Sequence, residues 1–222
     1  MIEVLDHGFV RLIDHMGSDL SIARSARISH NAEWRAGEDE GSDHRLINYL
    51  WNNCHTTPFE SVTFTFEVKA PIFVFRQWHR HRTWSFNEVS ARYTELPTEF
   101  YTPRVEIIGQ QSTNNKQGRE ETFVPLEGRQ EEQRQYKATC EHSFKTYERC
   151  INAGWPRELA RGVLPVATYS HMFATVSLLN LFRFMVLRSD DHAQHEIKVY
   201  SDAMGELIRE IVPVAYRAFL KG

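Results

Sequence analysis

The segment VTFTFEVK at positions 62–69 alternates strictly between apolar and polar side chains, and it constrains the fold more than any other stretch. Successive side chains of a β-strand point to opposite faces, so the apolar residues share one face and the polar residues share the other. The segment therefore predicts a strand with one face against the core. Pro71 follows closely and suits the first turn of a helix, which we expect in PIFVFRQWH.

The expected helix after Pro71 leads directly into a group of polar side chains. If the helix continues to residue 81, its polar residues share one broad face, because residues four apart lie above one another on a helix. These residues are Arg76, Gln77, Arg80 and His81. Phe75 and Trp78 point away from this face, and we expect them to anchor the helix in the core.

End signals predict two helices in the first quarter of the chain. Asp19 suits the N-cap of a helix over 19–29, and Ser42 or Asp43 suits the N-cap of a helix over 44–53. The apolar residues of the second segment recur at helical spacing. Both segments are therefore expected to pack one face on the core.

Four further helices are expected in the second half, one of them opened by Pro156 and interrupted at Pro165, whereas short strands are expected around Gly8. A long polar helix is predicted over 127–153, with Gly154 as its C-cap. Residues 171–190 are apolar enough for a buried helix, and residues 191–212 carry the apolar stripe of a last helix. The pattern predicts a helix-rich α/β or α+β fold with a modest sheet in the first half.

The chain length fits one domain spanning residues 1–222. The stretch 109–122, GQQSTNNKQGREET, is polar and irregular, and we interpret it as a surface insertion. No internal repeat divides the chain. A single domain with one polar insertion is the expected organisation.

Composition excludes several functional classes. The formal net charge of −3 argues against wholesale coating of nucleic acid, which normally needs a basic field over much of the domain. No apolar run approaches the ~18–20 residues needed to span a bilayer, and the first residues do not resemble a signal peptide. The three cysteines show no C-x-x-C spacing, which favours reduced thiols. We expect a cytoplasmic protein without a membrane partner.

The segment RHRTWSFNEVSARY at 80–93 concentrates hydrogen-bond donors around one carboxylate, Glu88. Arginine binds phosphate with two parallel hydrogen bonds and does not lose its proton, so clustered arginines suit phosphate esters. Internal ion pairs with acids could also satisfy single arginines, but the segment offers too few carboxylates for all of them. The excess positive charge favours a phosphate-bearing ligand.

Two other chemistries fit the residues less well. His79 and His81, or His192 and His195, could bind a metal ion, but no thiol pair completes a zinc site and neighbouring arginines repel a cation. We therefore expect no metal. Cys54 lies beside a histidine and could be an activated thiol, although an ordinary cysteine is the better interpretation.

The same segment resembles the signature of the flavin-dependent thymidylate synthases, R-H-R-x-x-S-x-N-E-x-S-x-R-Y. Every fixed position of that signature is present, as Arg80, His81, Arg82, Ser85, Asn87, Glu88, Ser90, Arg92 and Tyr93. HTTPFE at 55–60, PRELARGVLP at 156–165 and LRSDDHAQHEI at 187–197 resemble further blocks of that family. The resemblance covers almost the whole chain except about 103–135.

The resemblance implies a fold and a reaction. The expected fold is a central twisted, mostly antiparallel sheet flanked by long helices. The expected reaction converts dUMP to dTMP, with FAD as cofactor, methylenetetrahydrofolate as carbon donor and NADPH as hydride source. A homotetramer is expected, in which neighbouring subunits build each active site together.

The resemblance also implies roles for individual residues. Arg188 is expected against the uracil ring, as the residue that activates it, and Arg161 is expected to reach the nucleotide from another chain. The implied dUMP-binding residues are Gln77, Trp78, His79, Arg80, Glu88, Val89, Ser90, Ala91, Arg92, Arg161 and Arg188. The implied FAD-binding residues are His55, Thr57, Arg80, His81, Arg82, Glu88, Ser177, Leu179, Arg183 and His192.

The chain departs from the family pattern in one segment. Ser177 and Leu179 stand where members often carry Asn and Arg, and Arg183 stands where Asn or His is common. On the implied route no enzymatic nucleophile is needed, and Ser90 is expected to bind substrate. The alternative function is a non-catalytic member that binds nucleotides or single-stranded RNA through its basic and aromatic residues.

Overall fold

A computed structural model of the chain describes residues 1–113, 118–120, 126–190 and 192–221. Seven β-strands lie in these ranges: β1 Ile2–Val4, β2 Gly8–Met16, β3 Thr63–Pro71, β4 Ser85–Glu88, β5 Gln110–Gln111, β6 Arg119–Glu120 and β7 Tyr169–Ser177. The eight α-helices are α1 Asp19–Arg27, α2 Glu40–Asn52, α3 Ile72–Trp78, α4 Leu126–Asn152, α5 Arg157–Ala160, α6 Leu178–Arg188, α7 His195–Ile208 and α8 Pro213–Lys221.

The main sheet has five strands in the order β1-β2-β3-β7-β4, and all of its pairings are antiparallel. The predicted alternating strand is confirmed as β3, in the middle of this sheet. Phe64 and Phe66 are fully buried on its core face, whereas Thr63 and Thr65 on the other face are more exposed. Burial of these aromatic side chains gives the strand its register, because a shift of one residue would expose them.

Helices cover the core face of the sheet. Phe182 of α6 stacks on Phe219 of α8, with ring centroids 4.4 Å apart, and Trp51 of α2 contacts both rings edge-on. Trp78, at the end of α3, stacks on Phe184. These rings exclude water over a large apolar area and hold the four helices in place. In the described ranges no helix is long and apolar enough to cross a membrane.

The expectation of one buried helix over 171–190 is wrong, because its first half forms β7. Burial alternates along β7: Met172 and Ala174 are buried, whereas His171 and Phe173 are exposed. That alternation is the period of a strand, and only the residues from Leu178 onwards are helical. The sheet therefore takes a central strand from the second half of the chain, against the expectation of a sheet built from the first half.

The ends of two predicted helices also differ from expectation. Helix α3 stops at Trp78, so the polar residues up to His81 do not share one helical face. Helix α2 begins earlier than predicted, because Asp39 is the N-cap and accepts the Ser42 backbone N–H at 3.0 Å. Asp43 instead lies inside the helix and forms a buried ion pair with Arg27.

Asp19 does not cap the helix that it begins, since Ser18 is the N-cap of α1. Its carboxylate accepts backbone N–H groups of Val214 and Ala215 at 2.8 and 3.0 Å. Asp19 thus caps α8, where the first N–H groups have no partner within the helix. The last helix predicted, over 191–212, is α7, and α8 is a further helix beyond the predicted range.

The long polar helix is confirmed as α4, and Gly154 follows it with φ of +83°, the left-handed conformation expected of a glycine C-cap. The short pair β5 and β6 lies within the predicted insertion at 109–122. Residues 114–117 and 121–122 of that insertion lie outside the described residues.

Candidate active site

The segment after α3 is held close to the core by Trp78. Its indole is fully buried, and the chain turns immediately afterwards, with the His81 N–H donating to the Trp78 carbonyl at 2.9 Å. The indole packs edge-on against Trp84 as well as on Phe184. Trp78 was expected to bind dUMP, but its side chain is occupied by the core, so only its backbone could contact a ligand.

A cleft of about 710 Å³ lies beside the end of α6. It is lined by Gln77, Val186, Leu187, Arg188, Asp190, His192, Ala193 and Gln194. Two separate sequence blocks, the end of α3 and the end of α6 with the loop after it, therefore meet in one place. The structure brings together three of the expected site residues here, namely Gln77, Arg188 and His192.

The guanidinium of Arg188 is held by two contacts beside this cleft. Its Nε donates to His81 Nε2 at 3.0 Å, and Nη2 donates to the Gln77 carbonyl at 3.5 Å. Because arginine has no lone pair to offer, His81 must be the acceptor and must carry its proton on Nδ1. Arg188 Nη1 makes no hydrogen bond within the described ranges, so it remains available for a ligand.

Electrostatics keep His81 in the acceptor form. Burial disfavours the imidazolium, and the nearby charge of Arg188 adds to this, so the pKa of His81 falls to about 4. Burial also lowers the pKa of Arg188, which nevertheless remains charged at any physiological pH. The cleft thus presents a fixed cation beside a neutral imidazole at neutral pH.

Arg80 and Arg82 follow the same turn and are both exposed. No carboxylate among the described residues pairs with either guanidinium, although several acids elsewhere in the chain form ion pairs. Unpaired arginines near a cleft suit the phosphates of a dinucleotide, since two parallel hydrogen bonds replace the lost hydration. This donor set fits FAD, which the family resemblance implies for these residues.

The other expected flavin residues lie around the start of α6. His55 and Thr57 are exposed at a 3₁₀ turn, Thr57–Ser61, that contacts α6. Ser177 is the N-cap of α6, and its Oγ accepts an N–H of Asn180 at 3.1 Å. This places hydroxyl groups from two segments near one helix start.

Two residues of the divergent segment differ in what they can offer. Arg183 is exposed, and its guanidinium donates to Asn180 Oδ1 at 3.2 Å, so it can turn towards an anionic ligand. Leu179 is buried, with 2% of its surface exposed, and belongs to the core. A side-chain contact of Leu179 with FAD is therefore not supported by the structure.

The expected dUMP residues from Glu88 to Arg92 occupy a different surface. Ser170 donates to the Glu88 carboxylate at 2.5 Å, and the Val89 N–H donates to the His171 carbonyl at 2.8 Å. Glu88 and Val89 line a shallow cavity of about 280 Å³ that shares no lining residue with the cleft at Arg188. Among the described residues, the two halves of the predicted dUMP site line separate cavities of the single chain.

Ser90 is part of a tight turn. Its carbonyl accepts the N–H groups of Tyr93 and Thr94, and its Oγ accepts the Arg92 N–H at 3.3 Å. The contacts described for Ser90 include no general base, which agrees with a binding hydroxyl. Arg92 itself reaches Glu158 at 3.4 Å across an exposed ion pair.

The three remaining expected residues have contrasting positions. The His79 ring packs edge-on against Phe86, with centroids 4.8 Å apart, and Ala91 is nearly buried. Arg161 is exposed in a 3₁₀ turn, Arg161–Val163, and does not line the cleft at Arg188. None of the three brings a polar side chain into that cleft.

Sequence reasoning missed one buried carboxylate next to the cleft. Glu196 is only 3% exposed and accepts hydrogen bonds from Tyr101, Arg119 and Gln194. It belongs to the LRSDDHAQHEI block, where an acid at the start of an apolar helix was the available signal. Arg119 could not be connected with it, because their contact spans 77 positions.

The sheet, its helical cover and the cleft at Arg188 are those of an α+β enzyme that binds nucleotides. The family model described as "Thymidylate synthase complementing protein" matches residues 11–214. The flavin-dependent thymidylate synthases of Wolbachia pipientis wMel and Thermotoga neapolitana are each 44% identical to the chain. Those matches cover 99% of this chain and 76% and 94% of the two relatives. The chain belongs to the flavin-dependent thymidylate synthase family.

A solved structure supports the same assignment. The crystal structure of the UMP/dUMP methylase PolB from Streptomyces cacaoi, bound with 5-Br dUMP, superposes with a TM-score of 0.88. Its sequence is 36% identical, and the match covers 99% of this chain and 97% of that one. The family predicted from RHRTWSFNEVSARY and the antiparallel fold are both confirmed.

Proposed function

We propose that the protein methylates dUMP to dTMP with FAD as cofactor, methylenetetrahydrofolate as carbon donor and NADPH as source of the hydride. The observation that carries this proposal is the cleft in which a neutral His81 holds the Arg188 guanidinium. Family membership and the bound nucleotide analogue of the solved methylase support the same substrate class. FAD, when bound, supplies the hydride chemistry of the reduction.

Arg188 has the properties needed to activate a uracil ring. A fixed guanidinium beside the ring carbonyls stabilises negative charge on their oxygens, which raises the electron density at C5. C5 can then attack the methylene carbon of the folate without an enzymatic nucleophile. Because Arg188 is already held by His81 and the Gln77 carbonyl, little reorganisation is needed when substrate arrives.

Two side chains that could act as nucleophiles, Cys140 and Ser90, fit this route. Cys140 is buried in α4, and burial raises the pKa of its thiol, so little of it is the reactive thiolate. Ser90 engages its hydroxyl in its own turn. We therefore assign Ser90 to substrate binding, with Glu88 and Arg92 beside it.

We infer that the active site is completed by other subunits of a homotetramer. Arg161 and the run from Glu88 to Arg92 lie away from the cleft at Arg188, although all are assigned to one substrate. Exposed apolar side chains flank Arg161, and a large exposed apolar area favours burial against a partner. They are Trp155, Leu159, Val163 and Val166. Within each subunit we propose a single domain, because one hydrophobic core extends from β1 to α8.

Mixed oligomers test the shared site. Arg161→Ala and Arg188→Ala should each be inactive alone, because each removes one contribution to every site. Co-expressed and purified through two different tags, the hetero-oligomers should regain activity, since some sites receive both wild-type arginines. Hetero-oligomers that stay inactive would contradict the shared site.

Tritium release from 5-tritiated dUMP tests the reaction directly. Release should require NADPH and the folate in wild-type protein, and the purified protein should be yellow from bound flavin. Arg188→Ala should abolish release while flavin stays bound, whereas the exposed surface variant Arg134→Ala should release tritium like wild type. Colourless protein that cannot be reconstituted with FAD would refute the proposal and favour the RNA-binding alternative.

A further inference from the structure

A chain of side-chain hydrogen bonds connects the buried carboxylate Glu196 with Gln77 at the cleft. Gln194 Nε2 donates to Glu196 Oε2 at 2.8 Å, and Gln77 Nε2 donates to Gln194 Oε1. Gln77 and Gln194 both line the cleft at Arg188, whereas the largely buried Glu196 lines a neighbouring cavity of about 800 Å³ together with Gln194. The three residues form a relay that begins in the core and ends at the cleft.

The charge of Glu196 determines how both amides are oriented. An ionised carboxylate only accepts hydrogen bonds, so Gln194 must turn its NH₂ group towards Glu196 and its carbonyl towards Gln77. Gln77 must then give its NH₂ group to Gln194. The side-chain carbonyl of Gln77 is left for the cleft, where it can accept a hydrogen bond from a ligand.

Glu196 is well placed to keep its charge. Burial alone would favour the neutral acid, but the hydrogen bond from Gln194 and the charge of Arg119 outweigh it and hold the pKa of Glu196 below its usual range. Arg119 Nη2 reaches both carboxylate oxygens, at 3.0 and 3.1 Å, and the Tyr101 hydroxyl donates to Oε1 at 3.1 Å. Every donor around the group therefore favours the carboxylate.

We propose that Glu196 and Gln194 are positioning residues that fix Gln77 as a hydrogen-bond acceptor, so that the cleft selects a ligand group that donates. This inference rests on the proposed substrate, a deoxyuridine monophosphate. That molecule has two neutral donors, the ring N3–H and the 3′-hydroxyl. An acceptor at Gln77 pairs with one of them and disfavours a carbonyl or phosphate oxygen at the same place.

Replacing Glu196 by glutamine should invert the relay. Arg119 and Tyr101 both donate towards the position of Oε1, so the new glutamine would place its carbonyl there and turn its NH₂ group to Gln194. Gln194 would then reverse, and Gln77 would present NH₂ to the cleft. The NH₂ group of Gln77 would then face the donor group of dUMP without an acceptor between them. Glu196→Gln should therefore weaken dUMP binding about three- to tenfold.

Exchanging the two residues should restore the relay. In the double variant Gln194→Glu/Glu196→Gln, the new carboxylate accepts from Gln77 and from the new amide, so Gln77 keeps its orientation. The net charge equals that of wild type. Glu206→Gln, which removes an exposed carboxylate of α7, controls for the loss of charge in the single variant.

Calorimetric titration of dUMP into the FAD-loaded variants measures the effect. We expect weaker binding for Glu196→Gln, recovery to within about threefold for the exchanged double variant, and no change for Glu206→Gln. N3-methyl-dUMP and 2′,3′-dideoxyuridine monophosphate each lack one donor. For one of the two analogues, Glu196→Gln should bind as tightly as wild type. The donor that this analogue lacks is the group from which Gln77 accepts a hydrogen bond. Unchanged dUMP binding in Glu196→Gln, no recovery in the double variant, or an equal loss with both analogues would overturn the proposal.

A second measurement separates this inference from the proposed function. Urea unfolding of the FAD-loaded protein gives the change in the free energy of unfolding for Gln77→Ala, for Glu196→Gln and for the double variant. The change in the double variant should differ from the sum of the two single changes, because the relay couples two residues that do not touch. Wild-type protein that fails to bind dUMP, together with a non-additive cycle, would refute the substrate and leave the relay intact. An additive cycle would refute the relay whatever the substrate.

Discussion

Acid should destabilise the protein through His81, and the size of the effect follows from its surroundings. The pKa of His81 in the folded protein is lowered from 6.5 to about 4, by burial first and then by the charge of Arg188. Between these two pH values the unfolded chain binds a proton that the folded protein does not. The free energy of unfolding must therefore fall as the pH falls from about 6.5 towards 4.

The magnitude of this loss is bounded by the exposure of the imidazole. For a fully buried group, a pKa change of this size corresponds to about 3 kcal/mol. His81 is only partly buried, so solvent screening reduces the expected contribution to about 1–2 kcal/mol. The loss should level off below pH 4, where both states carry the proton.

The variant His81→Gln isolates this contribution. A glutamine carbonyl can accept the Arg188 N–H but does not titrate, so the acid-dependent loss should shrink by about 1–2 kcal/mol relative to wild type. Burial also lowers the pKa of His195, which remains in both proteins and cancels in the comparison. Urea unfolding from pH 7.5 to 4.0, at fixed protein and FAD concentrations, measures the difference.

A matched control and a refuting result complete the experiment. His142 is exposed on α4, so His142→Gln should follow the wild-type dependence on pH. If His81→Gln also loses stability in acid as steeply as wild type, the imidazole does not accept from Arg188 in the folded protein. The fixed orientation of Arg188 in the cleft would then lose its physical basis.

Three substitutions test the packing that supports the site, each by urea unfolding at pH 7. Asp19→Ala should lower the free energy of unfolding by about 1–2 kcal/mol, because two N–H groups at the start of α8 lose their acceptor. A change near zero would contradict the role of Asp19 as the cap of α8. Asp43→Ala should cost about 3–5 kcal/mol by leaving the Arg27 guanidinium buried and unpaired, and additional removal of Arg27 should recover part of the loss. Phe182→Ala should cost about 3–5 kcal/mol through the cavity beside Phe219, whereas a loss below 1 kcal/mol would show that the ring cluster collapses around it.

Local patterns predicted those parts of the fold whose periodicity is set by burial on one side. The alternation around Phe64 and Phe66 matches β3, since only one face of the strand meets the helices. The same reasoning failed for β7, because Met172, Ala174 and Val176 are followed at once by Leu178 and Leu179 of α6. A strand and a buried helix in sequence produce one continuous apolar run, and composition cannot locate the boundary.

Tertiary contacts give some residues partners that the sequence could not reveal, even where the sequence identified the kind of role correctly. Asp19 has the right chemistry for an N-cap, but the helix that it caps lies almost 200 positions away. Arg188 and His81 were both expected in the site, yet their mutual hydrogen bond depends on packing α6 beside α3. Such pairings follow from the assembled fold and leave no periodic trace in the sequence.

The order of the strands connects the two sequence blocks that were expected to bind dUMP. Strand β4 carries Glu88 and pairs with β7, and β7 runs directly into α6, which ends at Arg188. One block is therefore hydrogen-bonded along β7, and the other continues the chain from the C-terminal end of β7. The register sets Glu88 opposite Met172, and a slip of one residue would turn Glu88 to the other face of the sheet. Because β4 is a short edge strand, its register depends on contacts such as the Ser170–Glu88 hydrogen bond rather than on a pattern within SFNE.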